Sequence, residues 1–135
     1  MTPSLADHPL DHVGVAVRSI EESRGLFELL SGESSSPVEV LEEQGVRVAL
    51  VGTVELLEPL GPDTTVGRFL ERGGQGLHHI ALRAVDLERE LARLEAEGVE
   101  LIDRIPRPGA QGHLVAFLHP SSTGGVLVEL IQRPA

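Results

Sequence analysis

The sequence predicts a single α+β domain in which two βαβββ modules pack about a pseudo-twofold axis. The main observation is a repeat: the apolar, partly β-branched segment that follows His12 has a counterpart after His79. Each segment precedes an amphipathic helical pattern and then runs of period-two alternation. Repeated units of this kind bury a continuous core between them. We therefore expect a cupped eight-stranded mixed sheet with the helices on its outer face.

The length of the chain agrees with this arrangement. Its 135 residues suit one domain. The first module is predicted at residues 9–60 and the second at residues 77–132. The linker between them, residues 61–76, contains a predicted short helix at Thr65–Arg72.

Helix boundaries are marked in both modules. The first helix follows Ser19 and ends at Gly32, and the second follows Asp86 and ends at Gly98. Ser and Asp are good N-cap residues, and Gly commonly ends a helix. Apolar residues at helical spacing predict the buried stripes: Ile20, Leu26, Phe27 and Leu30 in the first helix, and Leu87, Leu91 and Leu94 in the second.

The other strands are short alternating runs separated by glycine-containing turns. They are predicted at Val38–Leu41, Val46–Val51 and Val54–Leu57 in the first module, and at Val99–Ile102, Leu114–Leu118 and Val126–Ile131 in the second.

Composition excludes several kinds of function. The chain has no cysteine, so thiolate metal sites and cysteine nucleophiles are absent. A net charge of −10 without a basic stripe argues against nucleic acid as a partner. No apolar run approaches the ~20 residues that span a bilayer, and the N-terminal residues lack the pattern of a signal peptide. We therefore predict no membrane association and a cytoplasmic location.

Two His–Glu pairs, one in each module, are the strongest functional indication. His12 and Glu55 are 43 positions apart, and His79 and Glu129 are 50 positions apart, at equivalent places in the repeat. Both glutamates lie mid-strand between apolar neighbours, where an unpaired carboxylate is costly to bury. Strand alternation places small residues on the same face as each histidine. If the modules pack about the twofold axis, all four side chains can meet at one metal ion.

Two imidazoles and two carboxylates suit a divalent first-row ion. Co²⁺ is the ion we expect, although the sequence itself does not separate it from Mn²⁺, Ni²⁺ or Zn²⁺. A single strand histidine is usually a hydrogen-bonded core residue, and a single strand glutamate usually faces solvent. Their equivalent placement in both repeats is what favours a metal site. Four protein ligands would leave two positions of an octahedral ion for substrate oxygens.

The remaining histidines carry weaker indications. His8 lies in an N-terminal segment for which we predict no function. Alternation directs His78 away from the predicted site, so it should pack against neighbours. His113 is predicted in a loop, either solvated or near the substrate. His119 should cap a turn, with a supporting role at the site as the alternative.

Six segments between Leu10 and Gln132 carry a family resemblance: Leu10–Val13, Glu43–Val46, Glu55–Leu60, Gly76–Ile80, Phe117–Pro120 and Gly124–Leu130. In their order and spacing the chain resembles the vicinal-oxygen-chelate superfamily and, within it, the methylmalonyl-CoA epimerases. The resemblance implies an acyl-CoA substrate and a metal held by His12, Glu55, His79 and Glu129. It also implies that (2R)- and (2S)-methylmalonyl-CoA interconvert through a metal-stabilised thioester enolate, with exchange of the C2 proton.

One departure from the family pattern affects the proton transfer. Some epimerases have Gln at the position of Glu55 and a separate Glu at the strand position where this chain has Val48. We find no other acidic residue at a predicted inward strand position. We therefore expect Glu55 and Glu129 to exchange the C2 proton, one on each face of the enolate. Three arginines are candidate contacts for the CoA phosphates, or solvated surface charges: Arg72, Arg104 and Arg107.

Three alternative functions remain. Glyoxalase I (lactoylglutathione lyase) uses the same ligand types, but the segments Glu55–Leu60 and Gly124–Leu130 favour the epimerase. An extradiol dioxygenase would use two His and one carboxylate, and the absence of Tyr argues against it. A non-catalytic binding protein of the drug-resistance type would not need both glutamates. A homodimer and activity on ethylmalonyl-CoA are further expectations.

Overall fold

The structure is a computed structural model that describes residues 8–134. These residues divide into two units. The N-terminal unit comprises residues 12–78, and the C-terminal unit comprises residues 79–134 together with residues 8–11. Within the described part of the chain, no helix has both the length and the apolar character needed to cross a membrane.

The order of elements repeats between the two halves of the chain. The first half contains β1 (Leu10–Ala16), α1 (Ile20–Ser31), β2 (Glu39–Leu41), β3 (Val46–Val51), β4 (Val54–Pro59) and α2 (Thr65–Gly73). The second half contains β5 (Gly76–Arg83), α3 (Leu87–Ala96), β6 (Arg107–Pro108), β7 (Leu114–Leu118) and β8 (Val128–Gln132). Short 3-10 turns lie at Glu42–Gln44, Ala110–Gly112 and Pro120–Ser122.

Each half of the chain contributes four strands of a mixed sheet. In the first half the hydrogen-bonded order is β2-β3-β4-β1, with β1 parallel to β4 and the other pairs antiparallel. The second half repeats the pattern as β6-β7-β8-β5, with β5 parallel to β8. The predicted α+β class with eight strands in two βαβββ repeats is confirmed.

Helix α1 covers one face of the strands in the N-terminal unit. It begins where the Ser19 hydroxyl accepts a hydrogen bond from the Glu22 N–H at 3.2 Å. It ends where Gly32 adopts a left-handed φ of 73°, which glycine takes without steric cost. Both boundaries agree with the prediction. The core beneath the helix contains Val17, Ile20, Ala49, Val51 and Leu56.

The predicted apolar stripe of α1 was wrong for two of its four members. Ile20 is buried and Phe27 packs against the core, but Leu26 is 57% exposed and Leu30 is 72% exposed. At about 100° per residue, Phe27 lies almost directly above Ile20 on the helix. Leu26 and Leu30 lie roughly 120° and 80° around the helix from Ile20, beyond the side that meets the sheet.

Helix α3 covers the strands of the C-terminal unit in the same way. The Asp86 carboxylate caps its first turn by accepting a hydrogen bond from the Arg89 N–H at 3.2 Å. Leu87 and Leu91 are buried, and Leu94 packs against the same cluster, so the predicted stripe is confirmed. The cluster also contains Ala84, Ala116, Leu118, Val128 and Leu130.

The predicted strand at Val99–Ile102 was wrong, because this segment makes only an isolated bridge between Leu101 and Leu118. The backbone N–H groups of Asp103 and of the residue before it both donate to the Phe117 carbonyl oxygen, at 3.2 and 2.9 Å. The Asp103 carboxylate accepts the Phe117 N–H at 2.9 Å. Since this side chain replaces the backbone acceptor that a ladder would supply, strand pairing stops here. The edge strand is instead β6.

Candidate metal and catalytic site

His12 and Glu55 are neighbours in the N-terminal unit. Strand β1 runs parallel to β4 with Gly14 opposite Glu55, and His12 lies two residues before Gly14 on the same face. The His12 Nε2 atom is 3.6 Å from a Glu55 carboxylate oxygen. Both residues are buried. The parallel pairing therefore brings together two side chains that are 43 positions apart in the sequence.

His79 and Glu129 form the equivalent pair in the C-terminal unit. Ala81 lies opposite Glu129 in the parallel β5–β8 pair, two residues after His79. The His79 Nε2 atom is 3.9 Å from a Glu129 carboxylate oxygen, and both residues are buried. Phe117 lies opposite Glu129 in the β7–β8 ladder and meets the His79 imidazole edge-to-face, with ring centroids 5.5 Å apart. This contact restricts the orientation of the His79 ring.

The spacing of the donor atoms fits a shared cation better than direct hydrogen bonds. Hydrogen bonds between such groups are about 2.7–3.2 Å long, shorter than the 3.6 and 3.9 Å measured here. Two ligands with bonds of ~2.1 Å to one ion lie about 3.0 Å apart when adjacent and about 4.2 Å apart when opposite. Each unit contains one buried imidazole and one buried carboxylate at this spacing, His12 with Glu55 and His79 with Glu129. This donor set suits a divalent first-row metal.

Packing of the opposite strand faces fixes the direction of these donors. Gly14 and Ala16 share the His12 face, and Ala81 shares the His79 face, so small residues flank both histidines as predicted. The opposite faces contribute Val15 and Leu56 to the core under α1, and Leu82 and Leu130 to the core under α3. A one-residue slip in register would turn every donor toward a helix.

Strand β3 places an apolar wall beside Glu55. Leu50 lies opposite Glu55 and Val48 lies opposite Leu57 in the β3–β4 ladder, and Val48 is only 2% exposed. On the edge strand β2, the expectation that no other acidic residue lies at an inward strand position was wrong. Glu39 lies opposite Val48, so this glutamate shares the face of Glu55, two strands away from it.

A model of the Glyoxalase/Bleomycin resistance protein/Dioxygenase superfamily matches residues 11–117. The chain belongs to this superfamily. The matched span contains His12, Glu55 and His79. It ends before Glu129, which the second repeat places at the position equivalent to Glu55.

Relatives place the chain near the epimerases of this superfamily. It is 39% identical to the mitochondrial methylmalonyl-CoA epimerase of Dictyostelium discoideum, over 92% of this chain and 78% of that protein. It is 48% identical to the uncharacterized protein YqjC of Bacillus subtilis, over 91% of each chain. The solved structure of methylmalonyl-CoA epimerase from Mycobacterium tuberculosis has a TM-score of 0.91 and 30% identity, over 100% of this chain and 93% of that chain. The prediction of an epimerase is confirmed at the level of the enzyme class.

Three histidines outside the two pairs have structural contacts. The His119 Nδ1 atom accepts a hydrogen bond from the Ser121 N–H at 3.1 Å, which confirms the predicted turn cap. His113 is buried, which excludes the solvated one of its two predicted alternatives. The His8 Nε2 atom lies 2.6 Å from the carboxylate of Glu90, a contact that the sequence analysis did not predict.

His78 packs away from its neighbour His79, as alternation predicts. Its ring meets Phe69 edge-to-face with the centroids 5.0 Å apart. Burial lowers the pKa of His78 below its usual value, while the negative charge of Glu55 acts in the opposite direction. A neutral imidazole packed against an aromatic ring is consistent with a structural role.

The three candidate arginines differ in where the fold puts them. Arg107 lies opposite Val115 in the β6–β7 ladder, and Val115 lies opposite Ile131 in the β7–β8 ladder, so Arg107 shares the face of Glu129. Its Nε atom is 3.4 Å from an Asp103 carboxylate oxygen. Arg104 is highly exposed and pairs with Glu95 at 3.3 Å, and Arg72 lies in the last turn of α2.

Sequence reasoning missed a buried acid beside the histidine of β1. Asp11 is 6% exposed, and one of its carboxylate oxygens accepts hydrogen bonds from both Arg83 and Arg133. The signal in the sequence was a charged residue inside an otherwise apolar strand. Nothing in the local sequence identifies its partners, because they are 72 and 122 positions away.

Proposed function

We propose that this chain interconverts (2R)- and (2S)-methylmalonyl-CoA by exchanging the proton at C2. The observation that carries the proposal is the duplicated buried pair, His12 with Glu55 and His79 with Glu129. Relatives with the name methylmalonyl-CoA epimerase, 33–39% identical to this chain, support this substrate. Ethylmalonyl-CoA is a second candidate substrate, since a Cereibacter sphaeroides relative is an ethylmalonyl-CoA/methylmalonyl-CoA epimerase.

The residues proposed to hold a divalent metal are His12, Glu55, His79 and Glu129. Co²⁺ is the ion we expect, with Mn²⁺, Ni²⁺ and Zn²⁺ as alternatives. When bound, the ion supplies Lewis acidity that polarises the thioester carbonyl and favours loss of the C2 proton to give an enolate. The two pairs support this assignment, because each supplies a buried imidazole nitrogen and a buried carboxylate oxygen, which are ligand types that such an ion accepts.

Glu55 and Glu129 are the proposed proton carriers. Epimerisation requires one group that removes the C2 proton from one face of the enolate and another that returns a proton to the opposite face. These two carboxylates occupy equivalent positions in the two repeats, so they can flank C2. Val48 and Leu50 offer no basic group next to Glu55. Glu39 is the rival, since it shares the same face from the edge strand.

The thioester's CoA portion needs contacts for its phosphates. Arg107 is the best placed of the three candidate arginines, because it shares the face of Glu129 and is partly exposed. Its guanidinium can donate to a phosphate while its neighbour Asp103 holds the side chain in place. Arg72 and Arg104 have no comparable relation to the donor face.

A proton NMR time course in D₂O tests the reaction. Stereochemically defined methylmalonyl-CoA is incubated with the Co²⁺-loaded protein and with the chelated protein. We expect loss of the C2 proton signal and formation of the other epimer only with metal. Glutathione–methylglyoxal hemithioacetal serves as the competing substrate, and turnover of that compound alone would identify a glyoxalase I instead.

Variants separate the two proton carriers. With Glu129→Gln or Glu55→Gln, the rate of epimerisation should fall about 10²-fold or more. Each variant should still exchange the C2 proton of one epimer with retention of configuration, and the two variants should retain opposite epimers. Glu58→Gln on β4 and Glu39→Gln on β2 are the controls and should keep wild-type exchange. Unchanged exchange in metal-loaded Glu129→Gln would rule out Glu129 as a base.

We also propose that the chain forms a homodimer. The outer side of α1 exposes three neighbouring leucines, Leu26, Leu29 and Leu30, which are 57, 80 and 72% exposed. Clustered apolar side chains of this kind are typical of protein contacts. Light scattering should give twice the mass of one chain, and Leu29→Glu should halve it. Val85→Glu, at an equally exposed site, should leave the mass unchanged.

A further inference from the structure

Asp11 is held by two arginines, Arg83 at the end of β5 and Arg133 immediately after β8. Its Oδ2 atom lies 3.2 Å from Arg83 Nε and 2.8 Å from Arg133 Nε, and the terminal nitrogens of these side chains are 3.1 and 2.8 Å away. The Asp11 side chain is 3% exposed, whereas the arginines are 44 and 46% exposed. One buried carboxylate therefore joins two cations that would otherwise repel each other.

The three members of this cluster are each close in sequence to a proposed metal ligand. Asp11 immediately precedes His12 in β1. Arg83 ends β5, four residues after His79, and the second arginine follows β8, four residues after Glu129. At about 3.3 Å per residue, the two arginines lie roughly 13 Å along their strands from these ligands. The cluster does not contact the donor atoms. It links the ends of β5 and β8, the strands that contain His79 and Glu129.

We propose that Asp11 is a positioning residue that fixes the relative placement of two metal donors, His79 and Glu129. This inference rests on the proposed metal site. Metal affinity depends on donors held within about 0.5 Å of the productive geometry. Without the carboxylate, Arg83 and Arg133 repel each other, and the ends of β5 and β8 separate. Their donors then lose the alignment that one ion requires.

A second buried acid provides a matched control for a role in stability alone. Glu90 on α3 is fully buried, and its carboxylate lies 2.6 Å from Arg93 Nε and 2.6 Å from His8 Nε2. It belongs to the same unit as Asp11 and to the same kind of ionic cluster. Unlike Asp11, it lies on a helix and precedes no proposed ligand.

The experiment measures Co²⁺ affinity by competition with a chelator, together with the melting temperature of the metal-free protein. For Asp11→Asn we expect the Co²⁺ dissociation constant to rise about 10-fold or more, with a changed visible spectrum of the bound ion. For Glu90→Gln we expect a lower melting temperature and a wild-type dissociation constant. If Asp11→Asn does not fold, Arg133→Gln replaces it, with the same expected loss of affinity.

Each other outcome overturns a defined part of the proposal. Equal Co²⁺ affinity in the wild type and in Asp11→Asn would overturn the positioning role and leave the proposed metal site intact. Parallel losses of affinity in Asp11→Asn and Glu90→Gln would assign both acids to stability alone. A wild-type protein that binds no Co²⁺, Mn²⁺, Ni²⁺ or Zn²⁺ would overturn the metal site and this inference together.

Discussion

The carboxylate of Glu55 lies 3.6 Å from the Nε2 atom of His12, across a parallel strand pair in which Gly14 faces Glu55. The same relationship recurs between His79 and Glu129, at 3.9 Å, with Ala81 facing Glu129. Each pair depends on a parallel register that the helix-covered faces enforce. The repeat therefore produces two equivalent half-sites, and the chemistry we propose requires both.

Metal binding should stabilise the folded protein. A ligand that binds only the folded state at 100 times its dissociation constant adds about 2.7 kcal/mol to the free energy of unfolding. Adding Co²⁺ to metal-free protein should therefore raise the melting temperature by several degrees in a scanning calorimeter. His79→Ala should abolish this increase. An equal increase in wild type and His79→Ala would contradict the assignment of His79 as a ligand.

The edge-to-face contact between Phe117 and His79 should contribute to metal affinity. Such a contact is worth about 0.5–1.5 kcal/mol, so Phe117→Leu should weaken Co²⁺ binding roughly 2- to 10-fold in a competition titration. Phe69→Leu is the matched control, because Phe69 makes the same kind of contact with His78 on the opposite face of the strand. Equal weakening in both variants would indicate a general loss of packing.

Gly67 in α2 should not tolerate a side chain. A Cβ atom there would lie 2.4 Å from the Gly61 carbonyl oxygen and 2.8 Å from that of Pro62, both backbone atoms that cannot move away cheaply. Gly67→Ala should therefore lower the free energy of unfolding by about 1–3 kcal/mol in urea titrations. Gly73→Ala in the same helix meets no atom within 4 Å and should be neutral or slightly stabilising. A neutral Gly67→Ala would contradict the packing described for α2.

Arg107 should affect substrate affinity more than turnover. Arg107→Gln should raise KM for methylmalonyl-CoA several-fold with little change in kcat, because a phosphate contact is made equally in the ground and transition states. The control Arg104→Gln removes a highly exposed arginine from the same loop region and should leave KM unchanged. Equal effects of the two variants would assign the change to net charge rather than to contact with the phosphates.

Local features of the fold were predictable because their signals are local. The caps at Ser19 and Asp86 and the ends of β3 followed from cap preferences and period-two alternation. The stripe of α3 was right because Leu87, Leu91 and Leu94 all lie within an arc of about 60° around the helix. The predicted stripe of α1 was partly wrong, because apolar residues of that helix also lie outside the side that packs against the sheet.

Features that depend on distant partners could not be predicted. The loss of a strand at Val99–Ile102 follows from the Asp103 carboxylate, whose partner Phe117 is 14 positions away. The cluster around Asp11 and the pair of His8 with Glu90 join residues that are 72 to 122 positions apart. The two His–Glu pairs were an exception. Because the module is repeated in the sequence, the same pair of residue types occurs at equivalent places in both repeats, and this made a long-range relationship recognisable.

The most direct test of the shared metal site is an anomalous difference map from crystals grown with Co²⁺. We expect one strong peak about 2.0–2.2 Å from the imidazoles of His12 and His79 and from the carboxylates of Glu55 and Glu129. A peak bound to other residues, or well-ordered density for these four side chains with no cobalt among them, would contradict it.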